Sequence, residues 1–298
     1  MKKRLSIVIP AYNAERTINK VVESVTKALG ALREESEIVV VNDGSTDGTR
    51  EVLNVIPPRL EQGKVSVRSL HQENGGCYRA RLAGLRTIDS EYFGFVDADD
   101  FVEPEMYVDM LSIAESENAD VVECGWRLEG VSLRDSRPCE VVERLLSKEM
   151  VRENYILPNL VGCGASAYLW NKIYRNQYEF ASWIDGDFGS YEDLIHNLQL
   201  FTKVRSFVRL SNKFYRYAPT DTSVTKTFNY QHILRLRNTA KAKSELIRAY
   251  VPETNVDIAM RMWLANEKKN YMKKAIIASH GNLSVMIKNL AQIFKVRV

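Results

Sequence analysis

Over its first 125 residues the chain alternates short apolar runs with longer stretches whose apolar positions recur every three or four residues. Leu5 to Pro10 (Leu-Ser-Ile-Val-Ile-Pro) is β-branched and almost uninterrupted, the pattern of a parallel strand buried on both faces. Thr17 to Leu29 follows with Ile18, Val21, Val22, Val25 and Leu29 at helical spacing. Glu37 to Val41 repeats the strand pattern, and the polar turn Asn42 to Thr49 leads into a helix beginning near Thr49. Val65 to Leu70 is a third strand, followed by the turn Glu73-Asn-Gly-Gly76 and a helix over Cys77 to Ile88. A fourth strand begins at Phe93, a helix runs from about Pro104 to Asn118, and Ala119 to Cys124 is again apolar. This alternation predicts an α/β fold, a mainly parallel, doubly wound sheet flanked by helices and joined by right-handed crossovers. In such sheets the loops after the strands bind ligands.

Beyond residue 125 the pattern is less regular. Val141 to Tyr155 reads as a helix, Pro158 to Ser166 as a glycine-rich loop, and Tyr168 to Tyr174 as ordered chain. The acidic pair Glu192-Asp193 opens a helical run to Phe201, and Val204 to Tyr217 alternates like one or two strands. Helices are then expected over Tyr230 to Tyr250, Thr254 to Ser279 and Leu283 to Phe294, the last burying Met286, Ile287, Leu290, Ile293 and Phe294. With 298 residues, 45% of them hydrophobic, one large or two modest domains can be built.

Charge changes the picture at the end of the chain. Residues 227–298 carry 13 Lys or Arg against 4 Asp or Glu, whereas residues 1–110 carry 14 against 18. A basic helical region can meet an anionic membrane surface, form an oligomer contact, or simply be solvated. No nucleic-acid partner is expected. Cys77, Cys124, Cys139 and Cys163 lack metal-site or disulfide spacing and read as buried thiols of a cytoplasmic protein. The basic start Lys2-Lys3-Arg4 imitates a signal peptide only until the apolar run stops at Pro10. No stretch approaches the ~20 apolar residues of a membrane span.

The chemistry concentrates at Phe93 to Asp100 (Phe-Gly-Phe-Val-Asp-Ala-Asp-Asp), where an apolar run ends in three carboxylates. Two carboxylates about 4 Å apart repel by a few kcal/mol at an effective dielectric near 20, and a cation resolves this. Mg²⁺ or Mn²⁺, which takes one or two carboxylates plus phosphate oxygens, suits such a cluster and suggests a nucleotide diphosphate on the same ion. A solvated acidic turn capping the helix near Pro104 is the alternative.

Ile7-Val-Ile-Pro-Ala-Tyr-Asn13, Val41-Asn-Asp-Gly-Ser-Thr-Asp47, Asn74-Gly-Gly with Ala80-Arg81, and Phe95-Val-Asp-Ala-Asp-Asp100 resemble, in order and spacing, the motifs of family 2 glycosyltransferases. Trp170-Asn-Lys-Ile-Tyr174, Tyr191-Glu-Asp193 and the stretch from Arg216 to Thr225 resemble acceptor-side elements of the members that build bacterial polysaccharides. The resemblance implies a GT-A, Rossmann-like fold over residues 1–227, with a nucleotide-binding part to about 125, an acceptor-side part over 126–227 and a helical C-terminal region over 228–298. It implies inverting transfer of a sugar, a hexosyl or N-acetylhexosaminyl group, from a nucleotide-sugar donor, expected to be a UDP-sugar. The acceptor would be a growing cell-surface glycan or a lipid-linked saccharide, which would bring the protein to the inner face of the cell membrane.

Carried over residue by residue, Pro10 and Tyr12 would line the nucleotide pocket, Asp43 would hydrogen-bond the base and Arg81 would lie against it. Asp97 would face the ribose and, with Asp99, bind Mn²⁺ or Mg²⁺, and Asp100 is an alternative or second ligand. Asp193 would be the general base, with Glu192 orienting it or raising its pKa. Apart from the resemblance, Trp170 and Trp183 read either as sugar-stacking platforms or as core aromatics, and Arg216 and Lys226 are candidates to close over the diphosphate. Tyr78, Arg79 and Leu82 depart from the small residues and Asn common around the arginine, and Asn42 replaces a frequent Asp. Two rivals stand beside this reading: a catalytically silent sugar-nucleotide or glycan-binding scaffold, and a nucleotidyltransferase that makes a nucleotide-sugar. The latter should carry a glycine-rich basic loop where this chain has Pro10-Ala-Tyr-Asn13.

Overall fold

A computed structural model describes residues 2–60, 63–131, 139–161, 167–177, 186, 188–219, 230–250, 256–278 and, near the C-terminus, 287, 288, 290, 291 and 293. Two compact units divide the chain. The first comprises Met1–Lys148, Leu169–Ala181 and Val204–Thr220; the second comprises Glu149–Tyr168, Ser182–Lys203 and Asp221–Val298.

The first unit is built on an eight-stranded sheet. Its parallel half contains β1 (Lys3–Ala11), β2 (Ser36–Asp43), β3 (Val65–Gln72) and β4 (Ser90–Phe95) in the order β3-β2-β1-β4. The register aligns Ile7 with Ile38 on one side and with Gly94 on the other. Every residue of β2 is buried, and so are the last seven of β1, which is why both read as continuous apolar runs rather than alternating ones. Helices α1 (Ile18–Gly30), α2 (Thr49–Leu60), α3 (Cys77–Leu85) and α4 (Met106–Ser116) complete this layer. The α1 stripe Ile18, Val21, Val22, Val25 and Leu29 joins Ile7, Ile9, Ile38 and Val40 in one buried cluster, where each aliphatic side chain contributes about 1.5–3 kcal/mol.

The other half of the sheet is mixed. The strand β6 (Val121–Glu123), β8 (Val141–Leu145), β9 (Lys172–Arg175) and β10 (Phe207–Leu210) extend the order as β4-β9-β6-β10-β8, with β9 antiparallel to both its neighbours. A small sheet of β5 (Phe101–Val102), β11 (Tyr215–Tyr217) and β7 (Trp126–Leu128) lies in the same unit.

The helix expected over Val141 to Tyr155 is therefore only half right. Residues 141–145 form the edge strand β8, antiparallel to β10, because two β-branched valines and a period-2 burial alternation suit an edge better than a helix. Helical structure begins with α5 (Lys148–Val151), passes through a π-helical turn at Arg152–Ile156 and continues as α6 (Leu157–Val161). Residues 158–161 of the expected loop are helical instead, and residues 162–166 lie outside the described ones. Cys77 is exposed and not buried as expected, since it begins α3 at the surface.

In the second unit, α5 residues after Lys148, the π turn and α6 join α7 (Glu192–Phe201), α8 (Tyr230–Tyr250) and α9 (Val256–Ala278). The expected boundary at residue 227 does not follow this division. Segments 149–168 and 182–203 fold with the C-terminal helices because α6 packs on α9 and α7 on α8. Lys241, Arg248, Arg261, Lys269 and Lys273 are exposed on these helices. Of the last expected helix, residues 287, 288, 290, 291 and 293 are described and helical; Ile293 is buried, whereas Ile287 is exposed, outside the face assigned to it.

Candidate functional site

The C-terminal ends of β3, β2, β1 and β4 open onto one edge of the sheet. There Ala11 pairs with Asn42, Asn42 with His71 and Asp43 with Gln72. The loops after β1 and β2 are laced together by side chains that cap backbone donors. Asn13, at φ 51°, accepts from the Thr46 N–H (2.8 Å) and gives its own N–H to Ser45 Oγ (3.0 Å). Asp47 accepts from the N–H groups of Glu15 (3.2 Å) and Thr49 (3.0 Å), and Ala14 donates to Thr49 Oγ1 (2.8 Å). Asx-type residues favour such local bonds, which is how this polar turn is fixed without a core. Pro10 is buried in β1, whereas Tyr12 is 52% exposed beside this loop.

Asp43, expected to meet a nucleotide base, organises the next loop. It is buried; Oδ1 accepts from Gln72 Nε2 (2.7 Å) and the Gly75 N–H (2.9 Å), and Oδ2 accepts from the Gly76 N–H (2.8 Å). Three of about four acceptor positions are used. Gly44 sits at φ +67°, and a Cβ there would lie 2.5 Å from the Asn74 backbone nitrogen; only glycine meets both demands. Asn42 is engaged with His71 Nδ1 (3.2 Å) and the Ser45 N–H (3.1 Å).

Arg81 and the β4 carboxylates meet at the same edge. Buried Arg81 donates from Nη2 to Asp97 Oδ1 at 2.8 Å, and its guanidinium lies 5.7 Å from the Phe95 ring centroid. Asp97 is the more open partner, at 30% exposure. Burial, reinforced by the negative charge of Asp97, pushes the Asp99 carboxyl up to about 6. Asp100 is fully buried. Tyr215 donates to its Oδ2 (2.7 Å) and the Ala218 N–H to its Oδ1 (2.8 Å), while burial and then Asp97 raise its pKa. Both oxygens of Asp100 thus serve β11 and the residue after it, whereas Asp97, paired with Arg81, and Asp99 are only partly buried. No group of three His, Cys, Asp or Glu with metal-site geometry occurs among the described residues. A half-buried, mutually repelling pair nevertheless fits Mg²⁺ or Mn²⁺ that takes its other ligands from phosphate and water.

Tyr215 was missed from the sequence. Its hydroxyl also accepts from the Asp97 N–H (3.1 Å), and its ring stacks on Trp170 at 4.1 Å. Only its place just before the Arg216 motif hinted at this role. Trp170, a suggested sugar platform, is buried in that stack, and Trp126 rather than Trp170 is the exposed ring of the group, edge-on to Trp170 at 6.1 Å. Arg216, expected over a diphosphate, is paired with Glu129 (3.2 Å) and lies over Phe101. Trp183 and Lys226 lie outside the described residues.

Glu192 and Asp193 belong to the second unit and open α7, with Tyr191 at its N-cap. A helix N-terminus favours their negative charge. His196, one turn on, is fully buried against Phe188.

The family model described as Glycosyl transferase family 2 matches residues 6–174, more than half of the chain. The chain belongs to glycosyl transferase family 2. Among family 2 relatives, the uncharacterized glycosyltransferase EpsJ of Bacillus subtilis is 30% identical over 225 residues, 74% of this chain and 63% of that protein. Poly(ribitol-phosphate) beta-N-acetylglucosaminyltransferase TarS of Staphylococcus aureus is 26% identical over 217 residues, 72% of this chain and 35% of TarS. The matched part is thus less than two thirds of either relative's length. Crystalline S. aureus TarS 1–349 in complex with UDP-GlcNAc superposes with a TM-score of 0.59 at 17% identity, covering 97% of this chain and 90% of that one. Glucosyl-3-phosphoglycerate synthase of Mycobacterium tuberculosis, in complex with Mn²⁺, UDP and glucosyl-3-phosphoglycerate, gives 0.50 at 16% identity and 80% coverage of both chains. These likenesses show the fold, a mostly parallel GT-A sheet flanked by helices with a helical C-terminal part.

Across the described residues, no helix is long and apolar enough to cross a membrane.

Proposed function

We propose that this glycosyltransferase is metal-dependent and inverting, taking a UDP-sugar as donor and a growing surface glycan or lipid-linked saccharide as acceptor. The observation that carries the reading is the sheet edge where the laced β1 and β2 loops, the Asp43-held glycine turn, the Arg81–Asp97 pair and Asp99 converge. In this reading Pro10 and Tyr12 line the nucleotide pocket, Asp43 and Arg81 meet the base, and Asp97 faces the ribose. Asp99, with Asp97, would hold Mn²⁺ or Mg²⁺, which when bound supplies positive charge for the departing diphosphate. UDP in two structural neighbours and Mn²⁺ with UDP in one support this choice, and GDP-Man with Mn²⁺ in a third neighbour, the mannosyltransferase PcManGT of Pyrobaculum calidifontis, makes GDP the comparison nucleotide.

Asp193 accepts the acceptor hydroxyl's proton as that oxygen bonds to the anomeric carbon. The bond from that carbon to the phosphate oxygen breaks on the opposite face, and the electron pair leaves with the nucleoside diphosphate. Glu192 beside it orients the carboxylate. The exposed basic residues of α8 and α9 would favour an anionic membrane surface, where lipid-linked acceptors reside. Asp193→Asn is expected to abolish sugar transfer while UDP affinity stays within about twofold, the signature of a group needed only in the reaction. Retained transfer would remove Asp193 from this role.

A further inference from the structure

The turn that carries Glu192 and Asp193 is held from outside its own helix. Tyr191, the N-cap residue of α7, makes no side-chain cap hydrogen bond. Its side chain reaches instead to α9. The Tyr191 hydroxyl donates to Glu267 Oε2, and its ring meets Trp263 edge-on with centroids 6.1 Å apart. Trp263 and Glu267 are four residues apart, so they form one stripe along α9. The seat is thus built from two successive turns of one helix.

The same turn is held from α8. Phe188, Ile195 and Ala242 form a small buried cluster with Tyr191 packed against it. Gly189, at φ +54°, lies so close to Arg235 that a Cβ would come within 2.5 Å of Arg235 Cδ. Buried Lys243 of α8 braces the α9 stripe, with Nζ 4.3 Å from the Trp263 ring centroid and a hydrogen bond to the Asn159 carbonyl at 3.2 Å. Charged and hydroxyl groups are costly to bury without partners, and Tyr191 and Lys243 each find theirs at the α9 stripe and its neighbours.

We propose that Tyr191 and Glu267 are positioning residues: through the Tyr191 hydroxyl, α9 sets the orientation of the Glu192–Asp193 turn that receives the acceptor's proton. The C-terminal helices are then a working part of the acceptor half of the site. The proposal rests on the reading of Asp193 as base.

The test uses the full chain with Tyr191→Phe, Glu267→Ala, Glu267→Gln and Asp193→Asn. UDP release is followed with whichever UDP-sugar the wild type turns over, UDP affinity is measured with Mn²⁺, and deuterium exchange is read for peptides covering 188–201. Since misplacement of a catalytic group by about 1 Å costs up to ~100-fold, Tyr191→Phe and Glu267→Ala should lower kcat by about 10- to 100-fold. Donor KM and UDP affinity should stay unchanged, and exchange should rise at 188–193. Glu267→Gln keeps an acceptor oxygen for Tyr191 and should recover most of the lost kcat, which a contact needed only for folding would not produce. Full kcat and unchanged exchange in both Tyr191→Phe and Glu267→Ala, with Asp193→Asn inactive, overturn the positioning role while the base stands. Full turnover in Asp193→Asn overturns the base and the proposal with it.

Discussion

Replacing Asp43 by Asn keeps the side chain's shape and exchanges one acceptor oxygen for an NH2 donor. In the native loop Asp43 accepts from Gln72 Nε2, the Gly75 N–H and the Gly76 N–H, at 2.7, 2.9 and 2.8 Å. If the amide oxygen stays with Gln72 and Gly75, the new NH2 faces the Gly76 N–H; flipped, it faces two donors. One buried donor left unsatisfied costs about 1–3 kcal/mol, and the charge-assisted character of the remaining bonds is lost as well. Asp43→Asn should therefore destabilise the first unit by about 2–4 kcal/mol, or roughly 5–15 °C in Tm for a unit of this size. The freed segment is the Asn74-Gly75-Gly76 turn packed on Gly44, so UDP affinity measured well below the melting range should fall too. Circular-dichroism melting and calorimetric UDP titration read both effects. A Tm within about 1 °C of wild type would refute the argument that Asp43 organises this loop.

Tyr215→Phe removes the hydroxyl that donates to Asp100 and accepts from the Asp97 N–H; the two orphaned groups should cost about 2–4 kcal/mol by urea titration and weaken Mn²⁺-dependent UDP binding, and an unchanged midpoint would contradict this. Burial, against the pull of Glu267, holds the Lys243 ammonium down to about 7. Between that pH and the ordinary lysine value the unfolded chain keeps the proton that the folded chain lacks, so this group makes stability rise with pH. Relative to Lys243→Met, the wild type should gain about 2–3 kcal/mol between roughly pH 7 and pH 9, and a difference that does not vary with pH would contradict the buried-ammonium account.

What the sequence revealed follows from what a local pattern can carry. Strands β1 and β2 were legible because burial on both faces leaves no polar interruption. The polar loops were legible because Asn13, Asp47 and Thr49 bond over short distances within fixed turn chemistry. The edge strand β8 was not legible, since Val141 to Leu145 is defined by pairing with β10, more than 60 residues later in the chain. Asp100 could not be separated from Asp97 and Asp99 for the same reason: its partner Tyr215 is 115 residues away. The grouping of 149–168 and 182–203 with the C-terminal helices depends on contacts such as Lys243 to Asn159 and Tyr191 to Glu267, which no periodicity announces.

In the proposed mechanism, a divalent ion on Asp99 and Asp97 completes the nucleotide-diphosphate site. Calorimetric titration of UDP into wild type and Asp99→Ala, each with and without Mn²⁺, reads this ion-dependent site. Mn²⁺-dependent UDP binding by the wild type should disappear in Asp99→Ala while the variant's Tm is retained. UDP binding that is indifferent to Mn²⁺ and to the Asp99 substitution, or no UDP binding by the wild type at all, would contradict the mechanism.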